Sequence, residues 1–576
     1  MKKVFPALLA AALLAACAPA PVSPPTVAPT AEPTAAVPTA AVPTTEPTAE
    51  PTAEPTTEPT DVTPSEPTAA ATEAAAPSNT PRLRALDFAP FETALTGFTP
   101  ERAAAIEAIV KDATAPQVQA ALQAGDLTAE ELSLFFLARI KQYDETLRHY
   151  LELNPAALDE ARASDARRKD GKLLGPMDGI PVSLKDNIET AGPLHTTAGA
   201  EILLNNVAAA DAPLVKNLRA AGAVILGKAN LSEFAGAISP APGTSAVGGV
   251  TINPHSTEFS ASGSSSGSGA SVASYQAFAS VGTETSGSLI APSSWNGVVG
   301  MYPSRGVVDG TGVIPLLSTN DSAGPIARSV TDVALLLAAI DTADTDYATG
   351  LNPDALKGVK VGLLKGDILA TQTSPLEDTS DNANVVERIE TGLSTAGATI
   401  SDTAFAGDQK TLIGGLLGLL LNGGIRHNML PYVVAAGAPV TDVASLLAYN
   451  AADPAVRIPF GQVVLEGTVK DTTLDKKADF DVAVKETKPM AAATLDAAFA
   501  AGADVLATVN NYHSAVYSTA NYPAITVPLG LRANGMPVGV TFIGKPGEEG
   551  KLLAYAFAFE QATKARVNPD LAKIVK

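Results

Sequence analysis

The chain has 576 residues, 60 of them acidic and 39 basic, for a net charge of −21. That balance excludes the basic footprint of a nucleic-acid binder, and anionic lipid would repel it, so surface charge cannot hold the chain to a membrane. The one cysteine, Cys17, excludes an intrachain disulfide.

Lys2 and Lys3 precede a mostly apolar run from Val4 to Leu14, followed by Ala15, Ala16 and Cys17. A basic start, a short apolar core and small residues describe a secretory signal that is too short to span a bilayer comfortably. From 18 to 81 the chain is dominated by Pro, Thr, Ala and Glu, with acids from Glu32 to Glu73 and no Lys or Arg. Such a segment lacks the apolar groups whose burial offsets ordering entropy, so a stalk is expected, extending roughly 3.1 Å per residue where polyproline II forms. Much of the net acidity belongs to it.

From about Leu86 the composition turns globular. Thr128 and Glu131 make a capping-box pattern ahead of a helix through Leu132, Phe135, Phe136 and Ile140. A second helix is expected over Ala156–Arg168, and a short strand over Val182–Leu184, ending at Lys185. Helix Ala212–Ala221 leads into strand Ala223–Leu226. A Gly/Ser-rich loop then runs from Ser260 to Gly269, a small-residue helix from Ala270 to Ala279, and a loop from Val281 to Ser288. Beyond it come strand Val359–Leu364, a helix from Asn384 to Ala396, an apolar stretch Leu412–Leu421, and strands Pro523–Leu529 and Pro537–Ile543 around the turn pair Asn534-Gly535. A helix near Lys551–Lys564 closes the chain. This alternation implies an α/β fold whose sheet is covered by helices.

The five histidines show no i, i+4 pairing and no His-Glu-x-x-His; with the sole cysteine in the signal region, no dedicated metal site is expected. Gly222 to Ala229 nearly spells a P-loop, but its middle is strand-like and Ala229 stands where Ser or Thr would hold magnesium. Gly263-Ser264-Ser265-Ser266-Gly267 fits G-x-S-x-G in form, yet the residues before it are polar and loop-like, whereas a nucleophile elbow needs a strand. What remains is an ordered set: Lys185 at a strand end, the Ser-rich loop, and Gly282-Thr283-Glu284-Thr285-Ser286-Gly287-Ser288. A serine hydroxyl needs a base, no histidine is adjacent to either serine segment, and a lysine can serve if burial or a positive neighbour lowers its pKa. Small residues around Ser288 let backbone N–H groups come close to a substrate oxygen. Taken separately, Lys185 reads as a strand-end lysine paired with Asp186.

At these residues the chain resembles the amidase-signature family, from about residue 116 onward. The matching pieces are Gly179 to Asn187, Thr196-Thr197-Ala198-Gly199, Gly227-Lys228-Ala229-Asn230 with Glu233-Phe234, Gly263 to Gly269, Gly282 to Ser288, and Pro523 to Pro528, all in the family's order. The resemblance implies the family's fold, a large mixed β-sheet covered by helices on both faces, and a Ser–Ser–Lys triad. In that triad Ser288 attacks the amide carbonyl, Ser264 relays its proton to neutral Lys185, and an acyl-enzyme is hydrolysed by water. It further implies a cis Gly263–Ser264 bond, an oxyanion hole from the N–H groups of Thr285, Ser286, Gly287 and Ser288, and no cofactor. Ser262, Ser266 and Ser286 stand where glycine is common, and Ile290 stands where many members carry arginine. The segment from Gly282 to Ile290 is closer to the peptide-amidase-like branch, so a neutral carboxamide, such as a C-terminal peptide amide, is the expected substrate.

Leu14-Ala15-Ala16-Cys17 likewise resembles the lipobox of bacterial lipoproteins. That implies a signal peptide at 1–16, lipid on Cys17, a disordered stalk over 17–84, and an amidase domain at 85–576 that works outside the cytoplasm, lipid-anchored to a cell membrane. The competing readings are a plain secretory peptide with an incidental cysteine, a non-catalytic ligand-binding lipoprotein, and an amidotransferase subunit feeding ammonia to aminoacyl-tRNA. The signal peptide argues against the last.

Overall fold

A computed structural model of the protein describes residues 82–343 and 345–575. The expected signal peptide at 1–16, the expected lipid on Cys17 and the expected stalk up to residue 81 lie outside the described residues. Arg82, Leu83 and Arg84, expected to end the stalk, are instead docked on the globular part. Arg82 pairs with buried Asp144 at 2.7 Å, and the Leu83 N–H donates to Val247 O at 3.0 Å. The carboxylate that fixes this start lies far along the chain, where composition cannot show it.

Among the described residues thirteen strands form, in chain order β1 (Tyr150–Leu153), β2 (Pro181–Lys185), β3 (Val224–Ala229), β4 (Thr244–Ser245), β5 (Gly249–Val250), β6 (Ala279–Glu284), β7 (Val299–Tyr302), β8 (Ser322–Ala327), β9 (Lys360–Leu363), β10 (Thr399–Asp402), β11 (Val505–Val509), β12 (Ala524–Leu531) and β13 (Pro537–Ile543). Eleven make one sheet in the order β1-β3-β2-β6-β8-β7-β12-β13-β11-β9-β10, while β4 and β5 pair as a small ribbon. The sheet is mixed: β2 runs parallel to β3 and β6, whereas β6 runs antiparallel to β8. Strands β2, β3, β6, β8, β11 and β13 are buried at every position. Successive side chains of a strand face opposite sides, so burial at every position requires cover on both faces. The helices supply it, and the α/β expectation holds.

Most predicted elements form close to their expected bounds. The helix Ala129–Leu147 opens on a capping box in which Thr128 Oγ1 accepts from the Glu131 N–H and Glu131 Oε2 accepts from the Thr128 N–H. The apolar stretch at 412–421 is the middle of helix Gln409–Gly424. The Asn534-Gly535 pair joins β12 and β13.

One region differs. The helix expected over 270–279 spans Ser266–Ala273, starting inside the expected loop, and the first residues of the loop expected from Val281 belong to β6. Ser, Gly and Ala carry little periodic signal, and tertiary closeness decides instead. A Cβ on Gly267 would lie 2.6 Å from the Asn230 backbone and closer still to His149 O, so the helix start is built of residues that let two backbones meet.

Candidate active site

Lys185 ends β2, an interior strand of the sheet, and is fully buried. Its Nζ donates to Ser264 Oγ at 2.7 Å, to Thr283 Oγ1 at 2.8 Å and to Thr283 O at 3.1 Å. It does not pair with Asp186. That carboxylate turns to the other buried lysine, Lys228, at 3.4 Å, and to the N–H and hydroxyl of Thr197. Lys228 Nζ also donates to Ile188 O at 2.6 Å and Thr196 Oγ1 at 3.0 Å. Burial pushes the Lys185 amine down to about 7, against the pull of the Asp321 and Glu284 carboxylates. With no carboxylate in contact, the amine can be neutral near pH 7.

The Gly263–Ser264 peptide is cis. The Ser264 carbonyl accepts from the Ser232 N–H at 3.0 Å, and the next residue binds both neighbouring segments. The Ser265 N–H donates to Ser288 O at 3.2 Å, and Ser265 Oγ donates to Thr283 O at 2.9 Å while accepting from the Thr283 N–H at 3.1 Å. Thr283, on β6, thereby meets both Lys185 and the Ser-rich segment, and Asn187 Nδ2 reaches its hydroxyl at 3.0 Å.

Ser288 follows β6 and is 7 % exposed. Its hydroxyl has no hydrogen-bond partner among the described residues, so the structure joins Lys185 to Ser264 directly and brings Ser288 alongside through its backbone. Catalytic hydrogen bonds are often completed only when substrate is bound. The segment from Glu284 to Ile290 curls around a buried carboxylate. Glu284 Oε1 accepts from the Gly287 N–H at 2.7 Å, and Oε2 accepts from those of Leu289 and Ile290 at 2.8 and 3.1 Å. Burial pushes the Glu284 carboxyl up, while these three donors pull the other way. Thr285 Oγ1 donates to Asp321 Oδ1 at 2.5 Å, and Ser286 Oγ to Ser514 Oγ at 3.2 Å.

Gly287 departs from its expected part in the oxyanion hole. Its N–H is turned inward to Glu284 because its φ of +76° folds the segment back on itself. The N–H groups of Thr285, Ser286 and Ser288 have no protein acceptor among the described residues. Ile290, in the position looked to for an arginine, is wholly buried in the apolar core.

Sequence reasoning singled out Lys185, Ser264 and Ser288 but not the residues that hold them. An acid within a buried run of small residues was the available signal for Glu284. Asp321 and Ser514 reach the site from distant segments and carried no local signal.

A family model described as Amidase matches residues 131–410 and 459–553. The chain is 34 % identical over 500 residues to a probable amidase of Arabidopsis thaliana, covering 80 % of this chain and 92 % of that one. It is 33 % identical over 483 residues to a glutamyl-tRNA(Gln) amidotransferase subunit of Chloroflexus aurantiacus, covering 78 % and 96 %. The solved peptide amidase of Stenotrophomonas maltophilia superposes with a TM-score of 0.72 at 36 % identity, over 80 % of this chain and 99 % of that one. The matched residues take in the strand of Lys185 and both serine segments, and the chain belongs to the amidase family as an amide-hydrolysing enzyme.

Proposed function

We propose that the protein hydrolyses neutral carboxamides, C-terminal peptide amides among them, through an acyl-enzyme on Ser288. Ser288 Oγ attacks the carbonyl carbon while its proton passes through Ser264 Oγ to neutral Lys185 Nζ. The N–H groups of Thr285, Ser286 and Ser288 hold the developing oxyanion. The tetrahedral intermediate collapses as the lysine's proton returns through Ser264 to the leaving nitrogen, releasing ammonia from a primary amide. Water then attacks the ester by the same route, yielding the carboxylic acid and free Ser288. The observation that carries this reading is a buried amine 2.7 Å from Ser264 Oγ, with the next N–H bonded to the Ser288 carbonyl. The buried Ile290, in place of an arginine, favours a substrate without a carboxylate near the scissile bond.

The test is steady-state ammonia release from C-terminally amidated peptides. Wild type turns them over, Ser288→Ala does not, and Lys185→Ala loses about 10²–10⁴-fold in kcat, the range of a general base. Full activity in either variant overturns the mechanism. The likeness to an amidotransferase subunit favours a second reading, ammonia transfer from glutamine. Glutamine turnover exceeding that of peptide amides would establish it in place of the first.

Residues 1–17 support an extracytoplasmic site of action, with lipid on Cys17 as the tether.

A further inference from the structure

Asn511 follows β11 in a short segment whose other polar side chains are all engaged. Asn510 Nδ2 donates to Glu377 Oε1 at 2.7 Å, and its Oδ1 accepts from the Gly539 N–H at 2.9 Å. Tyr512 OH donates to the same Glu377 oxygen at 3.1 Å. His513 is clamped between Asp367 Oδ2 and Thr508 Oγ1, each at 2.7 Å. Ser514 meets Ser286. Asn511 is the exception. Its backbone carbonyl accepts from the Ser514 N–H at 3.0 Å, but its half-buried carboxamide has no hydrogen-bond partner among the described residues.

That carboxamide lies against the nucleophile segment: a Cβ on Gly287 would sit 2.9 Å from Asn511 Nδ2 and 3.3 Å from Asn511 Cβ. A polar group fixed on both flanks, left unpaired beside the residue preceding Ser288, is placed to meet a ligand rather than to hold the fold. Its chemistry narrows the ligand. A carboxamide offers a donor and an acceptor side by side and no charge, which is the complement of a peptide group. A carboxylate or an ammonium on the substrate would find no counter-charge in it.

We propose that Asn511 selects peptide-like acyl groups, hydrogen-bonding the backbone peptide group that precedes the scissile amide; this rests on the hydrolysis at Ser288 proposed above. The residue acts on binding and orientation, not on proton transfer, so its loss falls on substrates that carry that group and spares those that lack it.

Three amides that share one side chain separate these effects: N-acetyl-L-leucinamide, 4-methylpentanamide, which lacks the α-nitrogen, and L-leucinamide, whose α-nitrogen is a free amine. The full-length chain is compared with its Asn511→Ala and Asn511→Asp variants by kcat/KM. Asn511→Ala is expected to lose about tenfold on N-acetyl-L-leucinamide, the scale of one hydrogen bond, and to stay within about twofold of wild type on 4-methylpentanamide. Asn511→Asp is expected to shift preference toward L-leucinamide, whose ammonium the new carboxylate can pair. Equal losses on the first two substrates, or no loss on either, would overturn the assignment while leaving hydrolysis at Ser288 intact. A wild-type chain that turns over none of the three overturns both.

Discussion

In the proposed mechanism Lys185 is an amine that burial makes a base. With its pKa at about 7, the neutral form dominates only above that value. We expect kcat/KM to fall about tenfold per pH unit below pH 7 and to level off above it, read from a pH–rate profile. The same burial acts on stability with a definite sign. The amine titrates at about 7 in the folded chain against 10.5 in its ordinary state, so between those values the unfolded chain binds more protons. Stability therefore rises with pH across that window, and the cost of burying the charge is fully present below pH 7. Lys185→Met should raise Tm relative to wild type by more at pH 6 than at pH 9. The lysine and both serines were legible because each sits in a short motif in the family's order. The alternative reading of Lys185, an ion pair with Asp186, does not hold, because neighbouring side chains of extended chain point to opposite faces. It serves Lys228 instead.

At the scale of elements, the proposed catalytic serines depend on how β6 ends. Glu284 collects three backbone N–H groups that would otherwise be buried without partners, and it thereby sets the path of the chain through Ser288. Glu284→Ala should cost at least about 2 kcal/mol in denaturant unfolding, since each buried donor left unpaired costs about 1–3 kcal/mol. It should also lower kcat without touching substrate. Gly287→Ala, at φ +76° and with Asn511 in the way, should reduce activity while Lys185 and Ser264 stay in place. Little of this was readable beforehand. Helix Ser266–Ala273 and β6 are made mostly of Ser, Gly, Ala and Val or Thr, which show neither a helical nor a strand period, so periodicity misplaces their boundaries. By contrast, Thr128 with Glu131 and Asn534 with Gly535 act through local geometry, and both predicted their elements closely.

On the scale of the whole molecule, the sheet brings β2, β6 and β8 side by side, and with them Lys185, Thr283 and, just before the start of β8, Asp321. That convergence follows from crossovers between distant segments, which is why Asp321 and Asn511 were invisible to motif reading. Among the described residues no helix is long and apolar enough to cross a membrane. The proposed tether is lipid on Cys17, and Cys17→Ser should move the protein from the membrane fraction to the soluble one; unchanged fractionation would contradict the anchor. Nucleophilic attack by Ser288 is tested most directly by peptide mapping by mass spectrometry after reaction with a fluorophosphonate. We expect a single adduct on Ser288, absent in Ser288→Ala and strongly slowed in Lys185→Ala. An unlabelled wild-type chain, or an adduct on another residue that persists in Ser288→Ala, would contradict it.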